Sequence, residues 1–462
     1  MMDFASKPLA VRSFWGLAFR IGRLALMFFA SLILARLMSL HDYGTYQYVM
    51  SIATLLLIPS LLGLNRLLVR EIAGNEARGQ PDLARGVMTF GIITTFLMAC
   101  TVAIVVSLGV TGVDAFSLFG FEDVTLGGAF YLGMIAMIAL AMTQVLQGAT
   151  QGFHHTTSGQ LPELIINPSA MLVIVGLGWL VGIPLTANLA LTYQIGAAVI
   201  GATAAVIFLR KAVAPEVVVA KPSFRVKTWF TASLTFVLIN GMYTVNTQAD
   251  VFMLGLLKGP EFSGLYYPAS RYGQLVNLGL VAVYIPLSPI LVRQFTNGDI
   301  GGVEHTARFA AFLGLGCALP AFLLFWFFGP FFLSLFGSEY VVSQRALIWL
   351  CFGYAFSAAM GPTVNTLTMT GYSHQASIGM AVGGVINVIL NALLIPIYGI
   401  EGAAIATCCS TIIWNVVCLY FIAKLLKINP TAVGPSVHSK GDTVATPPNP
   451  ASDFEPPDLE RP

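Results

Sequence analysis

Charge is scarce in this chain of 462 residues: Asp, Glu, Lys and Arg make up 10 % of it, against about 25 % in an ordinary soluble domain. With 56 % hydrophobic residues and a mean hydropathy of +0.80, that scarcity excludes a soluble enzyme and a disordered chain. A net charge of +2 is too small to argue for a nucleic-acid partner. Cysteine pairs are missing too. Cys100, Cys317, Cys351, Cys408, Cys409 and Cys418 all fall in apolar stretches without a CxxC, and read as small core residues rather than disulfides or metal ligands. The phosphate-cradling lysine is absent: Gly74 and Gly79 have the right spacing, but Gln80-Pro81 follows. ATP hydrolysis within the chain is therefore not expected. No sizeable loop carries a carboxylate pair, which argues against glycosyl transfer or polymerisation. His154-His155 reads as a pair of solvated turn residues. The expectation is a non-enzyme without cofactor or metal.

What is present is long apolar runs. At about 20 residues per span, twelve helices are expected, near 13–36, 46–66, 86–111, 125–149, 161–182, 188–209, 229–256, 265–291, 307–333, 344–369, 377–397 and 401–425. The first lacks a small-residue cleavage site and is expected to stay as an anchor. Alternate connections are basic: Arg66, Arg70, Arg78 and Arg85; then Arg210, Lys211, Lys221, Arg225 and Lys227; then Arg293 and Arg308; with Lys7 and Arg12 before the first span and Lys424 and Lys427 after the last. The other connections hold Asp42, then Asp114, Glu122 and Asp123, with Lys258 as their clear cation. The positive-inside rule then puts both termini in the cytoplasm.

The chain repeats itself. Asp42-Tyr43-Gly44-Thr45-Tyr46 resembles Phe262-Ser263-Gly264-Leu265-Tyr266, with the glycines 220 positions apart. Gly152-Phe153-His154-His155 resembles Gly371-Tyr372-Ser373-His374, the last histidines 219 apart; Pro184 and Pro396 are 212 apart. The fold class expected is an all-α polytopic membrane protein: two six-helix lobes related by a pseudo-twofold axis along the membrane normal. The lobes are residues 1–215 and 216–429, with a Pro-rich, disordered cytoplasmic tail at 430–462.

A few ions interrupt the apolar runs. Arg20 and Arg23 lie about 12 and 16 Å beyond Arg12 along one helix face. A cation at such depth costs about 2.5–3.5 kcal/mol, so it must snorkel or face protein, water or an anion. Arg271 sits in the eighth span, where an anion-binding cleft and a lobe-internal salt bridge are both open. Arg66 ends the second span, as an anion ligand or a simple anchor. Asp250 follows Asn246 and Thr247 in the seventh span; the three could bind a coupling ion, Na+ or H+, although pairing of Asp250 with an arginine is equally open. Glu163 reads as a first-turn carboxylate favoured by its helix dipole. The spacings Gly148–Gly152 and Gly379–Gly383 fit close helix packing within a lobe.

Leu34-Ala35-Arg36-Leu37 through Tyr46, Gly63-Leu64 through Glu71, Asp250 through Gly255, Gly264 through Tyr267, and above all Leu394 through Thr407 resemble the polysaccharide flippases of the multidrug/oligosaccharidyl-lipid/polysaccharide exporter superfamily, over roughly residues 10–425. That resemblance implies a V-shaped pair of bundles in the bacterial inner membrane that moves undecaprenyl-pyrophosphate-linked sugar repeats outward for surface polysaccharide. It also implies a lipid-linked oligosaccharide as substrate, and a polysaccharide polymerase and chain-length machinery as partners. Arg20, Arg23, Arg66 and Arg271 are then candidates to grip the pyrophosphate, because a guanidinium fork matches its oxygens. The competing readings are a multidrug/cation antiporter of the same superfamily and a lipid II flippase.

Overall fold

The computed structural model of the chain describes residues 9–112 and 124–438. The expected acidic connection carrying Asp114, Glu122 and Asp123 lies outside them, as do residues 439–462 of the tail. Regular structure among the described residues is helical. The first half contains α1 (Leu9–Leu37), α2 (Leu40–Leu61), α3 (Leu64–Ala77), α4 (Pro81–Gly112), α5 (Val124–Gly152), α6 (Thr156–Leu161), a π-helical turn at Pro162–Ile166, α7 (Asn167–Leu180) and α8 (Ala187–Ala212). A short α9 (Pro215–Val219) leads to α10 (Val226–Lys258), α11 (Pro260–Thr296), α12 (Ile300–Ser334), a 3-10 turn at Ser338–Ser343, α13 (Gln344–Met360), α14 (Thr363–Met369), α15 (Ser373–Tyr398) and α16 (Ile400–Leu425).

Each of the twelve expected runs falls on a helix or a broken helix. Eight helices among the described residues are long and apolar enough to cross a membrane, or nine if α2 and α3, bent by 42°, form one span. Twelve is not reached by that measure. The long helices α10 and α11 carry Asp250 and Arg271, so part of their surface is polar rather than lipid-like.

Local chemistry explains the boundaries. Ser39 caps α2 by accepting the Asp42 N–H at 3.1 Å, and Asp42 Oδ1 accepts the Ala187 N–H at the start of α8 at 2.9 Å. The repeat motif around Asp42 thus ties two helix starts together. Leu62 and Gly63, both left-handed, break α2 from α3. Helix α3 is amphipathic, burying Leu64, Leu67, Leu68 and Ile72 and exposing Arg66 and Arg70. A Cβ on Gly152 would come within 2.7 Å of Ile72 Cβ, and one on Gly383 within 2.9 Å of Trp414 Cβ. Both glycine pairs therefore serve packing inside one half, α5 on α3 and α15 on α16. Cys351, Cys408 and Cys418 are buried, but Cys317 departs from the core reading and is exposed on α12.

The halves meet along α2, which packs on α5 in its own half and on α10 and α11 in the other. The two repeat glycines touch: a Cβ on Gly264 would lie 2.9 Å from Gly44 Cα and 3.0 Å from its nitrogen. This crossing lies at the end of the molecule opposite the basic connections. Tyr43, Tyr46, Tyr266, Tyr272, Phe336 and Tyr340 pack there in one core shared by both halves. At the basic end Trp229 of α10 belongs to the core of the first half, 5.7 Å from the Phe90 ring. Arg85 binds the Val218 carbonyl and, at 2.7 Å, that of Ala220, holding the linker to α4. The first half's packing thus extends past the expected boundary at residues 215 and 216.

The tail also differs from expectation. Glu304, fully buried near the start of α12, accepts backbone N–H groups from Asn429 (3.3 Å), Val437 (2.7 Å) and His438 (2.9 Å). Arg308 donates to the Gly434 carbonyl at 2.7 Å, and the Ala432 N–H bonds to the Ala359 carbonyl at 2.9 Å. Residues 430–438 are therefore an ordered strap rather than part of a disordered tail.

Candidate functional site

The candidate arginines sit in different surroundings. Arg23 forms an ion pair with Glu163 at 3.2 Å, between α1 and the π-helical turn. Glu163 is therefore a counter-ion for the first helix and not merely a dipole cap. Both side chains remain partly open, so the pair is stabilised weakly. A double-mutant cycle of Arg23→Gln and Glu163→Gln, read by thermal unfolding in detergent, is expected to give a coupling below about 1 kcal/mol; a coupling several times larger would mean a buried structural bridge. Arg20 lies on α1, and its side chain falls outside the described residues. Arg66 is exposed at the first turn of α3, on the basic side of the molecule.

Arg271 is the most built of the four. Its guanidinium lies 4.2 Å over the Tyr267 ring, donates to the Tyr267 hydroxyl and bonds Gln274 Oε1 at 2.8 Å. Tyr267 and Gln274 are its own helical neighbours at i−4 and i+3, so the side chain is held flat along α11. Its Nε is buried without a hydrogen-bond partner. The Tyr267 ring in turn meets Tyr43 of the other half edge-on, with centroids 6.2 Å apart, and the Tyr43 hydroxyl lies 2.8 Å from Ser31 Oγ. Arg271 thus stands next to the seam between halves with its Nε–H unused. Two cavities lie elsewhere: about 280 Å³ lined by Trp179, Ile183 and Tyr193 at the end of α7, and about 470 Å³ lined by Arg293 and Asp299 at the basic end.

Asp250 is buried in a polar cluster inside the second half. Its Oδ1 accepts from Asn391 Nδ2 at 2.8 Å and Asn387 Nδ2 at 3.2 Å; its Oδ2 accepts from the Tyr266 hydroxyl at 2.6 Å and from the Thr407 hydroxyl. Asn387 Nδ2 also reaches Thr407 Oγ1 at 3.1 Å and Ser410 Oγ at 3.5 Å. The partners come from α11, α15 and α16. Among the described residues no arginine pairs with Asp250, and the expected neighbours bond elsewhere: Asn246 bonds the carbonyls of Met242 and Met380, and Thr247 is exposed and bonds the Thr244 carbonyl. Asn387, Asn391, Thr407 and Ser410 escaped the sequence reading. Their signal was amides four apart in one apolar run and hydroxyls three apart in the next. Asn391 Oδ1 is buried with no hydrogen-bond partner, which leaves an oxygen available beside a carboxylate.

The candidate site is thus a buried carboxylate cluster in one half and an arginine beside the seam where paired glycines meet. The lipid II flippase MurJ in an inward closed conformation shares the fold at a TM-score of 0.66, with 14 % identity over 88 % of this chain and 87 % of that one. A family model described as polysaccharide biosynthesis protein matches residues 14–294, and a second, MatE, matches residues 233–393. The chain belongs to the polysaccharide biosynthesis protein family. Two curated relatives are the "Uncharacterized membrane protein EpsK" of Bacillus subtilis, 28 % identical over 33 % of this chain, and the "Probable low-salt glycan biosynthesis flippase Agl15" of Haloferax volcanii, 24 % identical over 39 % of it. The matches span 35 % and 38 % of those proteins' own lengths.

Proposed function

We propose that this protein is a flippase that carries undecaprenyl-pyrophosphate-linked oligosaccharide repeat units across the bacterial inner membrane, by alternating access between its two halves. The observation that carries the reading is the family match across the first half and into α11, together with an arginine beside the seam that keeps a donor unused. The name of Agl15, a glycan biosynthesis flippase, agrees with it. In this reading the basic connections and both termini are cytoplasmic, the glycine crossing faces the outer side, and a polymerase with its chain-length machinery takes the product.

Pyrophosphate is costly to move through hydrocarbon bare, by tens of kcal/mol on Born solvation. Arg271 supplies a fork for its oxygens once Tyr267 and Gln274 release it; Arg20, Arg23 and Arg66 add charge from the first half, Arg23 after parting from Glu163. Outward movement of an anion from a negative interior gains about 2.3 kcal/mol per charge per 100 mV. Asp250, Asn387, Asn391 and Thr407 would hold Na+ or H+, because hard cations want oxygen donors and Asn391 Oδ1 is a spare one. Asn246 and Thr247 then stand outside that donor set.

The test is polymer production in a strain that depends on this gene. Arg271→Ala is expected to lower surface polysaccharide at least tenfold at unchanged protein level, with Arg271→Lys restoring part of it because the charge survives without the fork. Normal polymer from Arg271→Ala would remove the arginine mechanism. Deletion that sensitises cells to cationic dyes with polymer intact would favour the antiporter, and lysis from failed wall synthesis the lipid II reading.

A further inference from the structure

Arg36 closes the last turn of α1, where a cation ordinarily serves the carbonyls of its own helix. Here it serves another helix. Its Nε donates to the Leu335 carbonyl at 2.6 Å and its Nη2 to the Ser334 carbonyl at 2.8 Å. These are the last carbonyls of α12, which belongs to the other half, and a helix C-terminus leaves such groups unpaired and partly negative. One guanidinium thus bridges the halves, spending two of its donors on backbone oxygens that no side-chain change can remove.

The surroundings converge on the same end. Gly44 and Gly264 meet backbone to backbone. His41 of α2 lies 3.4 Å from Glu261 of α11. Phe28, two turns before Arg36, packs edge-on to Tyr272 and Phe336 at 5.2 and 5.7 Å, and Tyr43 packs on Tyr340 at 6.0 Å. The aromatic and glycine contacts are short-ranged packing. The guanidinium bonds are directional and break as a unit when α1 moves from α12.

We propose that Arg36 is the latch of this closed end: the halves part here only when the guanidinium lets go of Ser334 and Leu335. The latch concerns the opening step of any transported substrate, so it stands apart from the identity of the cargo.

The experiment is a distance measurement by paired spin labels in purified protein reconstituted in lipid, without substrate. Labels go on Asn188→Cys at the start of α8 and Tyr398→Cys at the end of α15, both exposed at this end, with Cys317→Ser to remove an exposed thiol. Arg36→Gln is expected to raise the long-distance, parted population about tenfold, the size set by loss of one net charge-assisted bond. Arg36→Lys should fall between, since one ammonium cannot reproduce the fork. Arg345→Gln removes a cation that pairs with Glu401 at 3.5 Å within the second half, and should leave the distances unchanged. If Arg36→Gln does not accumulate, Arg36→Met, which keeps the apolar stem, takes its place with the same expectation. Distances identical to the unmodified protein in a folded Arg36 variant overturn the latch. So does an equal shift from Arg345→Gln, which would mean a general response to lost charge.

Discussion

Asp250→Asn is expected to abolish any thermal stabilisation by sodium while leaving the fold intact, and Asp250→Ala to lower both stability and polymer output at least tenfold. The difference follows from the cluster. The carboxylate is acceptor for four donors on three helices. Alanine strands those donors in a buried site, and each buried polar group left unsatisfied costs about 1–3 kcal/mol. Asparagine keeps the shape and one acceptor oxygen, and the Tyr266 and Thr407 hydroxyls can rotate to accept from its amide. What it removes is the charge. The measurement is the unfolding midpoint of detergent-solubilised protein in sodium against choline chloride. An unmodified protein that gains stability in sodium while Asp250→Asn does not supports the cation reading; equal gains in both would remove it.

Gly44→Ala should cost about 1–3 kcal/mol, the range for overpacking a fitted interior, and cut transport in step. The added methyl would overlap the Pro260 carbonyl oxygen, with its carbon at 2.7 Å and Glu261 Cα at 3.0 Å. Those are main-chain atoms at the first turn of α11, so no rotamer change relieves the clash. The cost falls on the junction between halves rather than on either half. Gly109→Ala is the control, because nothing lies within 4 Å of a Cβ there. The two variants compared by thermal unfolding and by surface polymer decide the matter: equal behaviour would mean that the close approach of α2 and α11 is not needed.

Much of this architecture could be read from residue order alone. Long apolar runs report helices directly, because hydrocarbon forces each backbone group to bond within its own segment. The repeated glycine motifs pointed to two related halves, but nothing in them said that Gly44 and Gly264 meet where α2 crosses α11, a close approach that glycine permits. The site was less legible. Asp250 stood out because a carboxylate in an apolar run is rare, but apart from Tyr266 its partners lie 137 to 157 positions away, and the sequence neighbours Asn246 and Thr247 were a poor guide to them. Asn246 and Thr247, four and three residues before Asp250, share its side of the helix but sit one turn away along the axis, where both bond carbonyls of the preceding turn and Thr247 is exposed. Arg23 and Glu163 each stand out in an apolar run, but their pairing depends on how α1 lies across the π-helical turn, which no local pattern encodes. Residues 430–438 read as disordered because their composition buries little; what orders them is distant in sequence, the Glu304 carboxylate with Arg308 and the Ala359 carbonyl.

That carboxylate, Glu304, engages its strap through main-chain amides alone. Such a contact is indifferent to side chains. It is broken by proline at 429, 437 or 438, but elsewhere the strap depends on its letters: Asn429 Nδ2 donates to the Val433 and Pro435 carbonyls, Thr431 is buried, and Gly434 is left-handed. The hold of Glu304 on Val437 can therefore outlast a change of that side chain, whereas the turn at 429–434 is tied to asparagine, threonine and glycine.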